Sequence, residues 1–302
     1  VKLSIPLSIH NRAFLLGRAL DSFLWQSLPP EEWEVILVDD LSTADQSEAY
    51  KRFLGKINLR HVYFDHTRHF MFKEKNPGWT PGQPKNWWKT PALTTNVGCF
   101  LSRAPVVGLF HPEILHAPDN FAKAVSILSV KPGYLFGKCW LGDQAVNDWI
   151  TKKWPGPSWA EVVEKSGVQT CKFFKEEERY WYVSFLQREA VVKIGGVDFQ
   201  YMHGNSYEDC DFKERVNRAG FPDIVDFSLQ GIHQDHSSET DPHRIRDQKW
   251  LDSEVVNGQL FRTRLHRDGF PQPVNANVDW TANECVTRVV EYKVGSDKPV
   301  LT

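Results

Sequence analysis

Val106-Val107-Gly108-Leu109-Phe110-His111-Pro112-Glu113 is a short apolar run that stops at two ligand-capable side chains one residue apart. A run of this length bounded by polar segments reads as a buried strand. In an open α/β sheet, ligands collect beyond the carboxyl ends of the strands, so the run delivers His111 and Glu113 to the place where a site would lie. Residues i and i+2 of an extended chain share a face, so both side chains are expected to point the same way. An imidazole and a carboxylate together suit a divalent cation of the manganese or zinc type. A strand that merely ends in a polar turn would look the same, so the decision rests on the rest of the chain.

Upstream, strand and helix signals alternate. Residues Val1 to Ile9 read as a strand, and Leu16, Leu20 and Leu24, with Phe23 beside them, form a helical stripe after Asn11. Glu34 to Val38 is a second strand ending in Asp39-Asp40. A polar helix spans about Gln46 to Leu54, and Arg60 to Phe64 is a third strand. This alternation predicts an α/β fold with a mainly parallel sheet flanked by helices. The segment His66 to Pro91 breaks the rhythm with Pro77, Pro81, Pro84 and Pro91 and with Trp79, Trp87 and Trp88. It reads as a long ordered loop inserted over the site. A helix over Ala92 to Leu101 then leads into the run.

Downstream, Pro118 opens a helix with Phe121, Val125 and Leu128 on one face. Tyr134 to Trp140 begins a second half, Lys152 to Trp159 reads as a loop, and Tyr180 to Leu186 as a strand. Gly195-Gly196 precedes a helix over about Glu208 to Ala219. Past His236 the periodicity weakens into a polar stretch, Ser237 to Asp247, and a Pro/Asn-rich one, Gly269 to Asn277.

Composition narrows the classes. With 41% hydrophobic residues among 302, a sizeable core is available. A net charge of -2 without charged blocks argues against nucleic-acid binding by phosphate neutralisation. Twelve Trp and nineteen Phe are enough to line a cleft as well as a core. The five cysteines are widely spaced and form no CxxC, which fits reduced thiols and a cytoplasmic location better than a disulfide framework. No apolar run reaches the ~18 residues of a membrane span.

Four pieces line up in order: His10-Asn11-Arg12; Asp39-Asp40; Asn96-Val97-Gly98 with His111-Pro112-Glu113; and Gly195-Gly196-Val197-Asp198 followed by Tyr207-Glu208-Asp209-Cys210-Asp211 and Arg215. This order resembles the family 2 inverting glycosyltransferases, with their Rossmann-like GT-A fold. The resemblance implies a GT-A domain over residues 1–236, with a nucleotide-binding half (1–117) and an acceptor-binding half (118–236), and a C-terminal extension or lid over 237–302.

The resemblance also implies roles. Asp40 matches the acid that pairs with the base, usually uracil, and Asp39 with Ser8, His10, Asn11 and Arg12 would shape that pocket. His111-Pro112-Glu113 stands where the family has Asp-x-Asp, so Glu113 would bind a metal bridging the diphosphate, and His111 would contact metal or ribose. Asp209 matches the base that deprotonates the acceptor, with Glu208, Asp211 and Trp181 toward acceptor and sugar. His233 matches a late metal ligand, with His236 as its substitute. The implied cofactor is Mn²⁺ rather than Mg²⁺, since imidazole ligands suit the former. Read from the residues alone, Asp39-Asp40 could equally be a capping turn, the acidic cluster a helix N-terminus, and Asp211 with Arg215 an i,i+4 pair. Lys89, Arg103 and Trp140 are weaker candidates for phosphate and sugar contacts.

The expected function is therefore that of a hexosyltransferase-type enzyme. It would move a sugar from a nucleoside-diphosphate donor, expected to be a UDP-sugar, to the hydroxyl of a glycan or other acceptor. Two other readings stand beside it: a nucleotide-sugar hydrolase with water as acceptor, and an inactive domain that binds nucleotide or glycan.

Overall fold

The computed structural model describes residues 1–80, 91–142, 144–153, 158–167, 181–203, 206–236, 248–271, 273–281 and 283–301. The first strand, β1 (Leu3–Ile9), is followed by α1 (Ala13–Leu24), β2 (Trp33–Asp40), α2 (Ser47–Tyr50) and β3 (Asn58–Phe64). Then come α3 (Phe70–Lys75), α4 (Pro91–Leu101), β4 (Val106–Leu109), β5 (Ile114–His116), α5 (Asn120–Val130) and β6 (Tyr134–Leu141). The chain continues through α6 (Gln144–Lys153), α7 (Trp159–Gly167), β7 (Ser184–Gln187), α8 (Arg188–Ile194), α9 (Glu208–Arg218) and β8 (Asp223–His233). It ends with α10 (Gln248–Thr263), β9 (Val286–Lys293) and β10 (Ser296–Leu301).

The strands form one sheet in the order β10-β9-β3-β2-β1-β4-β7-β6-β8-β5. Helices cover both faces. Leu3, Ile5 and Leu7 of β1 pack with Leu16, Leu20 and Phe23 of α1 and with Phe121 and Leu128 of α5. Ile36 and Val38 of β2 face the other way, toward Leu93 and Val97 of α4 and Ile194 of α8. Each such buried side chain contributes about 1.5–3 kcal/mol. Alternate residues of a strand serve opposite layers, which is why β2 is buried along its whole length. In α1, Leu16, Leu20 and Phe23 share the buried face, whereas Leu24 turns outward and is 38% exposed.

Several expectations need correction. The sheet is mixed, not mainly parallel. Strands β3, β2, β1 and β4 run parallel, as do β6 and β8. The short strand β7 enters antiparallel between β4 and β6, β5 is antiparallel to β8, and β9 and β10 add an antiparallel edge beside β3. Apolar runs reveal strands but not their direction. The segment from His66 is not one long loop: a 3-10 turn at His66–Arg68 and the helix α3 occupy its start, while 81–90 lies outside the described residues. Lys152 and Lys153 close α6 rather than opening a loop. The segment read as an extension supplies α10 and two strands of the same sheet; the polar stretch 237–247, read as a lid, is outside the described residues. Among the described residues no helix is long and apolar enough to cross a membrane. Cys99, Cys139, Cys210 and Cys285 are free thiols. Burial pushes those of Cys99 and Cys285 up to about 12. Cys171 lies outside the described residues.

The Gly195-Gly196 pair has a steric cause. Gly195 closes α8 at φ +76 and Gly196 follows at φ +78, a left-handed turn that L side chains resist. A Cβ on Gly195 would stand 1.8 Å from the carbonyl oxygen of Val274, and one on Gly196 would stand 2.3 Å from Asn96 Oδ1. We expect Gly195→Ala to cost more than the ~1–3 kcal/mol of backbone strain alone, because the neighbouring backbone must also move. Urea unfolding of both proteins checks this; a loss below 1 kcal/mol, about the Gly-to-Ala difference in an unstrained position, would contradict it.

Candidate functional site

Parallel neighbours β1 and β4 mark a reversal of strand order. From β1 the chain goes on to β2 and β3 on one side, and from β4 it goes to β5 at the far edge. Such a switch point opens a crevice at the carboxyl ends of the strands. A cleft of about 250 Å³ lies there, walled by Ser8, Ile9, His10, Arg12, Asp40, Thr94, Thr95, Trp181 and the run Leu109 to Glu113, among others.

At one end the turns after β1 and β2 are tied together. Asn11 adopts φ 53, and its Oδ1 accepts bonds from Thr43 N at 2.9 Å, Thr43 Oγ1 at 3.2 Å and Ala44 N at 3.3 Å. Its own N–H donates to Ser42 Oγ at 2.9 Å, and that of Arg12 to Gln46 Oε1 at 3.0 Å. His10 donates from Nδ1 to the Asp40 carbonyl oxygen at 2.7 Å. Ser8 Oγ reaches Thr95 Oγ1 at 3.4 Å.

The two acids that end β2 diverge. Asp39 turns away from the cleft wall. Its Oδ1 accepts from Ser42 N at 3.1 Å and its Oδ2 from His61 Nε2 at 3.3 Å, while His61 Nδ1 meets the Tyr50 hydroxyl at 2.8 Å. Asp40 lines the cleft, and its Oδ1 accepts from His66 Nδ1 at 2.7 Å, both groups being buried. His61 and His66 had no place in the sequence reading. The available signal was a histidine within the third strand and another two residues past its end, on the strand beside Asp39-Asp40.

At the other end, β4 stops at Leu109, so His111 and Glu113 stand in a turn and the period-2 argument does not apply. Glu113 points inward and is 6% exposed. His233, the last residue of β8, pairs with Ile114 at the start of β5, which brings it beside Glu113. Glu113 Oε1 lies 3.0 Å from His236 Nε2 and 3.6 Å from His233 Nε2, and the two nitrogens are 3.3 Å apart. Ligand atoms held about 2.1 Å from a cation at octahedral or tetrahedral angles lie about 3.0–3.4 Å apart. Two of the three edges fall in that range, the Glu113–His233 edge at 3.6 Å is a few tenths of an ångström longer, and the donor set is one carboxylate with two imidazoles. His233 and His236 thus both belong to this group. His111 does not; it lies against the Tyr182 ring, 5.7 Å away, with His233 on the same ring at 5.1 Å.

Burial opposes the charge on Glu113. Hydrogen bonds from His233 and His236, with smaller contributions from the charges of His111 and His233, outweigh it and hold the carboxyl well below its ordinary range. The surrounding backbone is pinned. Fully buried Gln234 donates from both N and Nε2 to the Glu113 carbonyl oxygen, each at 3.1 Å. Asn147 clamps Asp235 through its Oδ1 at 3.2 Å and Nδ2 at 2.6 Å.

The acidic cluster divides by burial. Asp211 is fully buried and accepts from Arg215 Nε at 2.6 Å, Arg264 Nη1 at 2.8 Å and the Tyr201 hydroxyl at 3.1 Å. Arg264 also meets Asp198 at 2.6 Å, and Arg215 donates to the carbonyl oxygens of Ile194 and Gly196. These contacts tie α9 to the Gly195-Gly196 turn and engage both carboxylate oxygens of Asp211 in the interior, away from any sugar. Glu208 is also buried, at 8% exposure. Asp209 is half-buried, and its Oδ1 accepts from Cys210 N at 2.9 Å. It shares a helix face with Phe212, which packs edge-on at 5.6 Å against Trp181 in the cleft wall. Left-handed Ser206 and Tyr207 set the start of this helix, and Asn257 of α10 holds the Ser206 carbonyl oxygen at 2.8 Å. Trp181 is only 5% exposed, which leaves little ring surface for stacking on a sugar. Arg103 is engaged by Glu291 at 2.6 and 2.9 Å, Trp140 lies under the Lys138 ammonium, and Lys89 is outside the described residues.

Comparison with protein-family models and with curated proteins gives no match. Solved structures do match in shape. Residues 1–349 of TarS from S. aureus, in complex with UDP-GlcNAc, superpose with a TM-score of 0.53 at 13% identity, covering 86% of this chain and 66% of that one. The mannosyltransferase PcManGT from Pyrobaculum calidifontis, in complex with GDP-Man and Mn²⁺, gives 0.52 at 15% identity, covering 86% and 64%. The chain thus spans just under two thirds of each neighbour's length. It has the α/β fold of these glycosyltransferases.

The burial pattern separates a fully buried acid from a half-buried one. Asp211→Ala strands two buried guanidinium groups and is expected to cost about 3–5 kcal/mol. Asp209→Asn removes only a partly exposed charge at a helix start, worth about 0.3–1 kcal/mol. Equilibrium denaturation of the two variants measures both; equal losses would contradict this division.

Proposed function

We propose that the chain transfers a sugar from a nucleoside-diphosphate donor, a UDP-sugar, to an acceptor hydroxyl with inversion. The observation that carries this reading is that Glu113, which lines the same cleft as Asp40, also groups with His233 and His236. A base-reading acid and a cation site in one crevice suit the two ends of a nucleoside diphosphate. The glycosyltransferase fold supports the same reading, and the bound GDP-Man and Mn²⁺ of one neighbour agree with it.

Glu113, His233 and His236 would hold the cation, with Gln234 and Asn147 fixing the backbone that carries them. Bound there, a divalent ion would offset the charge that builds on the departing diphosphate. Asp40 accepts a hydrogen bond from the base. Asp209 takes the proton of the acceptor hydroxyl as that oxygen attacks the anomeric carbon. The bond from that carbon to the diphosphate breaks on the opposite side, and the electron pair leaves with the phosphate oxygen. The partial exposure of Asp209 suits this task, because the acceptor has to reach it.

Turnover and donor binding then separate by residue. Asp209→Asn is expected to lower acceptor-dependent UDP release by at least about a hundredfold, the usual scale of general-base catalysis, while UDP affinity stays within a few-fold. Kinetics with calorimetry decide it. Release that is as fast without acceptor as with it would mark a hydrolase instead, and retained turnover would remove Asp209 from the base role.

The metal ligands behave in the opposite way. Glu113→Gln is expected to abolish Mn²⁺-dependent strengthening of UDP binding, since it removes the one carboxylate of the set. Mn²⁺ should support more activity than Mg²⁺, which prefers oxygen and water. Metal-independent UDP binding, equal in wild type and variant, would exclude this site from donor binding.

A further inference from the structure

The β5–β8 pairing that brings His233 beside Glu113 also encloses a fully buried histidine. His116 ends β5 opposite Gly231 and is 0% exposed. Its backbone N–H donates to Ser22 Oγ of α1 at 3.0 Å. Its ring packs among Phe23, Phe110 and Phe121, with centroids 5.7, 4.1 and 6.0 Å away. Asn120 Nδ2 lies 3.1 Å from its Nδ1. The Asn120 amide has one workable orientation. Its Oδ1 accepts from Gln230 N at 3.0 Å, and its Nδ2 donates to the Gln230 carbonyl oxygen at 2.7 Å. Turned over, it would set oxygen against oxygen and N–H against N–H. The amide group that faces His116 is therefore a donor, so Nδ1 is the bare, accepting nitrogen and the hydrogen of the neutral ring is on Nε2. Nε2 has no hydrogen-bond partner among the described residues.

A second proton has no place in this arrangement. It would go to Nδ1 and meet the Asn120 amide donor against donor. Nor is there a charge to balance it. Of the elements packed on the ring, α1 contributes Ser22 and Phe23, α5 contributes Asn120 and Phe121, β8 contributes Gly231 across the strand pair, and the turn after β4 contributes Phe110. None of these is titratable or charged. Burial alone pushes the imidazole down to about 3. We infer that His116 is an acid-sensitive lock: its neutral Nε2–H form completes a hydrogen-bonded chain from β5 through Asn120 of α5 to β8, and that chain leaves no room for the proton which an opened strand pair would accept. An exposed histidine takes up a proton below about pH 6.5. Above that pH both states are neutral and the lock holds in full. From about 6.5 downward the opened state gains a proton that the closed state refuses, so closure weakens. Opening parts His233 from Glu113, so acid also disperses the metal group. That consequence rests on the metal reading above; the behaviour of His116 does not.

Metal affinity is not the readout, because histidine ligands release metal in acid for their own reason. The test uses the full chain without metal in two measurements. The first is urea unfolding of wild type and His116→Gln at pH 7.5 and pH 5.0. Glutamine can still accept from Asn120 but takes up no proton. The loss of folding equilibrium constant between the two pH values is expected to be about thirtyfold greater for wild type than for the variant, the factor that a shift from 6.5 to about 3 implies. A merely structural role would lower the variant's stability equally at both pH values. A difference between the two losses of less than about threefold overturns the inference. The second measurement is nuclear magnetic resonance of histidine-labelled wild type, in which the ring nitrogen shifts report where the hydrogen lies. His116 is expected to carry it on Nε2 and not to titrate between pH 7.5 and 5.0 in the folded chain. A hydrogen on Nδ1, or titration near 6.5, overturns the inference. Should His116→Gln not fold, this second result decides. Either failure leaves the donor-binding reading untouched.

Discussion

Neighbouring parallel strands whose chains depart in opposite directions cannot close the space beyond their ends. In this molecule β1 and β4 stand in that relation, and the cleft is the result. Into it the fold places a carboxylate, Glu113, that is almost wholly buried. A buried charge has to be matched by hydrogen bonds or opposite charge, because the alternative costs several kcal/mol. His233 and His236 supply the match, and they do so from the far end of β8, which the β5–β8 pairing carries alongside. The same three atoms that satisfy one another lie close enough together to share one cation. Gln234 and Asn147, which hold the backbone between the histidines, are part of that arrangement.

The acids after Gly196 illustrate how burial divides labour. Asp211 and Asp198 share Arg264, and Asp211 also binds Arg215, which caps the carbonyl oxygens of the glycine turn. Buried ion pairs of this kind add little net stability over well-packed apolar groups, but breaking one is costly. Their effect here is orientation: they fix the start of α9 against both the glycine turn and the segment after α10. Asn257 adds a second tether to the left-handed residues before the helix. Asp209 is left half-exposed on the face that meets Trp181. The C-terminal segment is thus bound into the site by hydrogen bonds and into the sheet by β9.

Much of this was legible in the residues. The apolar runs of β1 to β4 gave those strands, Leu16 and Leu20 gave the first helix, and the acids and histidines at strand ends marked one crevice. Strand direction was not legible, because an apolar run has no polarity: β7 could be read as a strand but not as an antiparallel insertion. The partners of Glu113 were legible as ligand types but not as a group, since which histidine reaches it depends on the β5–β8 register. His66 went unassigned because its partner lies on the neighbouring strand, 26 residues away in sequence. The i,i+4 pair of Asp211 with Arg215 was legible in the spacing, but the closing of Tyr201 and Arg264 around the same carboxylate was not, because both come from distant segments.

The central claim is that one carboxylate and two imidazoles at the switch point hold the cation that serves a nucleoside diphosphate. Pulsed electron paramagnetic resonance of the chain with stoichiometric Mn²⁺ tests it most directly, because directly bound nitrogen and phosphorus nuclei couple to the metal's electrons. The account predicts nitrogen couplings from two imidazoles in the Mn²⁺ form and a phosphorus coupling that appears when UDP is added, with the nitrogen couplings kept. A spectrum of fully hydrated Mn²⁺ without nitrogen coupling, or phosphorus coupling without nitrogen, would contradict it.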